Sequence, residues 1–317
     1  MNAADLYREA FACLPDRELD AYSGRLGRDD PATDRFVDRG RDALDLLHRA
    51  ARCPGCDWGP ESARDVPVDD FAGGRRLAML ALLRAEGSSR RGDDRAGLDD
   101  LAAVMALGRH LGRGLYVSGL AGFPIEDLAA TRAFEVLDRL DPETRRSFAG
   151  RLDALPPFPG LAAAIRAEEA YFRVHYREVF AALGDGDVSR PIRDAFGLPA
   201  PTEETAGMID RIFPAGDPAE RMLVASGATR SGLLALADEA LAAFGVLAGI
   251  AEGAGTVRPG GDAALRNAAG SNPLLFEVLR SFDTMSPIWG RYHGRFARLR
   301  SLADAGRPGT GSGPGPD

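Results

Sequence analysis

Apolar residues return every three or four positions through much of this chain, and most clearly between Gly74 and Arg113. Two amphipathic segments, Arg75–Arg91 and Arg95–Arg113, meet at Gly92-Asp93-Asp94. The first carries Leu77, Met79, Leu80, Leu82 and Leu83; the second carries Leu98, Leu101, Met105, Gly108 and Leu111. Such steps share one face of a helix of period 3.6, whereas a strand alternates every second residue. The opposite face of the second segment holds Asp99, Arg109, His110 and Arg113, which predicts a solvated side. A tight Gly-Asp connection between two such helices makes an antiparallel hairpin, which hides its apolar faces only by stacking on further helices. The expected fold is all-α: a multi-helix array of antiparallel hairpins, tetratricopeptide-like or α-solenoid-like, with a long C-terminal helix and no substantial sheet.

The flanking segments extend this pattern. Ala3–Phe11 reads as a short helix, and Thr33–Arg52 as a second that groups Phe36, Leu44, Leu47 and His48. Residues 53–70 have prolines at 54, 60 and 67 and no helical period, so they read as a connector wrapped on the bundle. Leu115–Leu140 is helical, with a kink or a join expected at Pro124, which removes a backbone donor and crowds the preceding turn. Asp141-Pro142 reads as an N-cap followed by proline at the first helical position, and this helix stops at Pro156-Pro157.

Leu161–Leu183 aligns Ile165, Phe172, Tyr176, Val179 and Leu183. A Gly/Pro-rich connector, 184–216, precedes what reads as the longest helix, Asp217 to Glu252, about 50 Å at 1.5 Å per residue. A short helix, Leu274–Phe282, and a last one opened by Ser286-Pro287 follow. The tail 306–317 is Gly, Pro, Ser and Thr and is expected to be disordered. The domain organisation is thus 1–183, the 184–216 connector, and 217–305 packed on the first region or continuous with it.

Composition removes several functions. All 39 basic residues are Arg; the chain has neither Lys nor Gln, the usage of a GC-rich coding sequence. Without Lys there is no Schiff-base nucleophile, no phosphate-binding-loop lysine and no kinase-type lysine. A net charge of −8 argues against nucleic acid as the main partner, because phosphate binding needs a concentrated basic surface. No run approaches 18 uninterrupted apolar residues, so no membrane span is expected. The N-terminus lacks the basic start and apolar core of a secretory signal, and the expected compartment is the cytoplasm.

Two resemblances follow from particular residues. The Gly74–Arg113 pair resembles a tetratricopeptide hairpin, with Ala85, Gly92, Gly97 and Leu101 where that repeat has small, glycine, small and large residues. Arg84 and Ser88 stand where larger apolar or aromatic residues are usual, and no second copy appears at a 34-residue spacing. A closer likeness rests on Cys56-Asp57-Trp58-Gly59, the central pair, Leu155-Pro156-Pro157 and Ala167-Glu168-Glu169. Over residues 4–180 these resemble an uncharacterised bacterial all-helical family with a Cys-Asp-Trp-Gly turn before a tetratricopeptide-like hairpin. That likeness implies a fold and carries no activity.

Candidate chemistry lies in two places. Cys53-Pro54-Gly55-Cys56 has the spacing of a redox pair or of two zinc ligands, with His48 as a third; a structural turn anchored by Trp58 is the plainer alternative. Glu168, Tyr171, His175 and Glu178, spaced by three, four and three, could supply an acid–base pair or metal ligands, or form a satisfied polar cluster. Glu126-Asp127, Asp238-Glu239 and the Arg291, Arg295, Arg298 row read as solvated helix faces. The glycines at 108, 112, 114, 119 and 122 follow no strand and precede no Lys, so they read as close helix packing. The leading expectation is a scaffold or protein-interaction module that takes another protein or peptide and needs no cofactor. The alternative is a metal-dependent enzyme built on Glu168, His175 and Glu178.

Overall fold

A computed structural model describes residues 1–15, 31–58, 68–184, 218–254 and 269–304, with Val188, Ile192 and Asn267 in addition. Every regular element among them is helical. In chain order these are α1 (Ala3–Ala12), α2 (Pro31–Arg39), α3 (Arg41–Ala51), α4 (Val68–Arg90), α5 (Asp94–Leu111), α6 (Tyr116–Leu137) and α7 (Pro142–Asp153). Then come α8 (Leu161–Phe172), a π-helical segment Arg173–Glu178, α9 (Val179–Ala182), α10 (Pro218–Ser226), α11 (Arg230–Ala254) and α12 (Pro273–Asp304).

The α4–α5 hairpin turns where expected. Gly92 adopts φ +81°, open to glycine at little cost, and Asp93 accepts from the Ala96 N–H at 3.0 Å to cap α5. The Asp141 N-cap holds too: its carboxylate accepts from the Glu143 and Thr144 N–H groups at 2.8 and 3.0 Å, with Pro142 at the first turn.

Several boundaries differ from the expectation. One helix over 33–52 becomes two, because Gly40 marks a break packed directly against Leu80 of α4. The α4 helix begins at Val68, seven residues before Arg75, and absorbs Gly73 and Gly74. Those glycines let it pass tightly over Phe11 and Leu111, so packing overrides their poor helix propensity. The expected helix from Asp217 to Glu252 breaks between α10 and α11, where Gly227 and Ala228 take φ +61° and +53° and the Thr229 hydroxyl accepts from the Gly232 N–H at 3.1 Å. Among the described residues the longest helix is α12, which runs through Pro287 with no fresh start there.

Two apolar cores form. The first gathers α1 to α5, the later half of α6, α7, and Leu299 and Ala303 of α12. The second gathers Tyr116 and Phe123 of α6, then α8, α9, α10, α11 and the first half of α12 up to Trp289. Thus α6 and α12 each serve both cores, and the handover in α6 falls at Pro124. The cores do not follow a division at residue 183, since α8 and the start of α6 belong to the second. One described helix, Arg230–Glu252 within α11, is long and apolar enough to cross a membrane by length and composition. Its inner face is part of the second core, while Asp238 pairs with Arg177 at 2.7 Å and Glu239 accepts from Asn272 at 2.8 Å.

Candidate functional site

Helix α5 is buried from Gly97 to Leu111 on nearly every side, because α3, α4, α6 and α7 surround it. The predicted solvated face of this helix is therefore overturned: Arg109 is 4% exposed and His110 is 0% exposed. Each polar group sealed in this way needs a partner. Arg109 Nε donates to Glu126 Oε1 at 2.9 Å and Nη1 donates to the Pro156 carbonyl at 2.7 Å. Its guanidinium also lies 3.9 Å from the Phe296 ring centre. Burial pushes the Glu126 carboxyl up, and the neighbouring Arg109 charge works against that. Glu126 is thus not on a solvated face; only Asp127 is, where it pairs with Arg295.

His110 meets Tyr7, whose hydroxyl lies 3.0 Å from Nδ1, while Trp58 Nε1 donates to the His110 carbonyl at 2.9 Å. Trp58 stacks on Tyr7 and Phe11 at centroid distances of 5.7 and 6.4 Å. The connector is stitched down further by Ala3 N–H to the Gly55 carbonyl and by Asn2 to the Asp57 backbone. Burial and the nearby Arg113 charge hold the His110 pKa down at about 4.

In this setting Cys53 donates to the Arg49 carbonyl, and burial pushes the Cys56 thiol up to about 12. A thiolate nucleophile needs the opposite shift, so the local electrostatics favour the structural-turn alternative over the redox one. His48 is not with these cysteines. Its Nε2 lies 2.7 Å from Asp100 Oδ1 and 2.8 Å from an Arg84 Nη2. Arg84 also donates through Nε to Asp100 Oδ2 at 2.9 Å.

The row of Glu168, Tyr171, His175 and Glu178 is kept only in part. Glu168 accepts from the Tyr116 N–H at 2.6 Å, capping α6, and Tyr171 stacks on His175 at 5.1 Å. From Arg173 onward the turn widens to the π form, so the three-four-three spacing no longer keeps Glu178 in line, and Glu178 is exposed. Among the described residues, no three His, Cys, Asp or Glu side chains converge where they could hold a metal.

What the helices do build is a groove. A 230 Å³ cavity opens between the second half of α4, the start of α5 and the end of α6. Its floor is Leu82, Ala85, Leu98, Leu101 and Val136; its rim is Glu86, Arg90, Arg132, Glu135 and Arg139. At its base the helices nearly touch, since a Cβ on Gly97 would lie 2.9 Å from the Ala85 carbonyl oxygen. Rim charges pair loosely at the surface, Arg132 with Glu135 at 2.9 Å and Arg139 with Asp94 at 3.2 Å.

Sequence reasoning missed every buried polar contact on α5, although Arg84 had signalled one by occupying a place where the tetratricopeptide pattern has an apolar residue. The fold and groove define a class: an all-α protein in which a helical hairpin packs into a two-core bundle and leaves an apolar slot with a charged rim. No protein-family model, no curated protein and no solved structure matches the chain.

Proposed function

We propose that this protein is a non-enzymatic interaction module that docks a peptide segment of another protein in the α4–α5–α6 groove. The observation that carries this reading is the groove's composition, an apolar floor large enough for one anchoring side chain, ringed by charges of both signs. Apolar anchors in a desolvated pocket supply most of the affinity of such contacts, and rim charges select register and partner. The tetratricopeptide-like character of the hairpin supports the same reading. The ligand is a short peptide with a leucine or aromatic anchor flanked by an acidic residue, which meets Arg90, Arg132 and Arg139.

Selection of peptides from a random display library on the full chain tests this. The enriched sequences should share that pattern, and Val136→Glu, on the half-buried part of the groove floor, should weaken them at least tenfold while the chain stays folded by circular dichroism. Enriched peptides that bind Val136→Glu as well as the parent chain would remove the groove from consideration.

A further inference from the structure

A second opening lies across α5 from the groove, and its lining is of another kind. A 180 Å³ pocket sits between the end of α3, the middle of α5 and the end of α7. Its walls are Ala51, Ala102, Ala103, Ala106, Ala154 and Leu155. Alanines on three neighbouring helices ordinarily allow backbones to close until no space is left. Here they face open space, and the polar groups around that space are His48, Arg52, Asp99 and Arg151.

Those polar groups are arranged and not scattered. Asp100, whose side chain is 3% exposed, is bound by Arg84 at both carboxylate oxygens and fixes the His48 ring through Nε2. That leaves Nδ1 as the ring's remaining polar atom. If Nε2 accepts from Arg84, the neutral ring carries its hydrogen on Nδ1; in the imidazolium both nitrogens carry one. In both of those forms the ring has an N–H left to donate to an anion; only a neutral ring that donates Nε2–H to Asp100 has none. Arg151 pairs with Asp99 at 2.8 Å at the mouth, and Arg52 has no ion-pair partner among the described residues.

From this juxtaposition of an alanine-walled cavity, two arginines and a carboxylate-held histidine, we infer that the pocket binds a small organic anion with a short apolar body. Arg52 and Arg151 receive the anionic head, His48 donates to it, and the alanine walls take the carbon chain. This site stands independently of the peptide groove.

Titration of the full-length ¹⁵N-labelled chain with sodium butyrate, acetate and butylammonium at constant ionic strength tests the inference through the His48 imidazole signals, assigned by their loss in His48→Gln. Butyrate should shift them saturably. Acetate, lacking two methylenes worth about 0.8 kcal/mol each when buried, should bind roughly tenfold more weakly. Butylammonium, with the same body and the opposite charge, should produce no saturable shift. Arg52→Ser and Arg151→Ser change exposed side chains and should each weaken butyrate at least threefold. Ala154→Leu, at the exposed end of α7, should block the pocket and abolish the shift. Unmoved His48 signals, equal response to butyrate and butylammonium, or undiminished butyrate binding in Ala154→Leu would each overturn it.

Discussion

His110 shows how much one burial decision changes the chemistry of a side chain. On a solvated face it would titrate near the ordinary value, about 6.5. Sealed between Tyr7, Trp58 and the α5 backbone, it is held at about 4. The folded state then binds fewer protons than the unfolded chain over the window between those values. Its contribution to stability is complete above pH 6.5 and falls as the pH drops toward 4. A gap of that size is on the order of 3 kcal/mol at its limit. Urea unfolding of the parent and of Tyr7→Phe/His110→Leu at pH 7 and 4.5 should show the parent losing about 2 kcal/mol more than the variant. Glu126, whose raised carboxyl works in the opposite direction, is common to both chains and drops out of the difference. Parallel losses would mean that the imidazole is solvated. The sequence could not foretell this: Asp99, Arg109, His110 and Arg113 do form one stripe of α5, but a stripe becomes a surface only if no helix covers it. Arg109 and His110 are covered by α6, α1 and the connector, while Asp99 stays at the edge.

At the scale of the helix, periodicity was legible and breaks were less so. Leu98, Leu101, Met105, Gly108 and Leu111 are all buried as their spacing implied. Prolines misled at Pro287, because a lost hydrogen bond ends a helix only where the freed carbonyl has no other partner. Pro124 and Pro287 both face solvent, where water can take that role, and α6 and α12 continue through them. The glycines at 108, 112, 119 and 122 are packing devices as expected, whereas Gly114 takes φ +95° in the turn between α5 and α6. A Cβ on Gly122 would press into the Gly108 carbonyl and the Gly112 backbone, whose Cα would be 2.7 Å away. Backbone cannot rotate aside as a side chain can, so Gly122→Ala must push α5 and α6 apart and should cost about 3 kcal/mol or more. Gly150, in the exposed middle of α7, has nothing within 4 Å of its Cβ position, and Gly150→Ala should stabilise by about 0.5–1 kcal/mol. Urea midpoints of the two variants check the pair, and equal shifts would show that the α5–α6 crossing has room to spare. The candidate site was less visible for a related reason. Residues 82, 98 and 136 meet only once three helices have docked, and no local spacing records that meeting.

Over the whole molecule, the central question is whether two cores make one folding unit. Sequence composition allowed either a division near residue 183 or one continuous domain, and helices on both sides of that point enter each core. Tyr116 and Phe123 place the start of α6 in the second core, and Ala129, Ala133 and Leu137 place its end in the first. The α12 helix repeats this in reverse, from Trp289 in the second core to Leu299 and Ala303 in the first. Neither core can melt without exposing half of a helix that the other is holding, and the buried Arg109–Glu126 pair under Phe296 joins α5, α6 and α12 between them. Two-state behaviour is the consequence. The chain supplies its own reporters, since of its two tryptophans Trp58 packs on the first core and Trp289 lies in the second. Trp58→Phe and Trp289→Phe leave one emitter apiece, although each removes one indole hydrogen bond, to the His110 or the Pro159 carbonyl. In each variant, urea unfolding followed by the remaining tryptophan should coincide with unfolding followed by far-ultraviolet circular dichroism. A fluorescence midpoint separated from the dichroism midpoint by more than about 0.5 M, set against urea slopes of about 1–3 kcal/mol per molar, would mean that the cores unfold separately. In that event α6 and α12 would break near Pro124 and Pro287, the positions where each already lacks a backbone hydrogen bond.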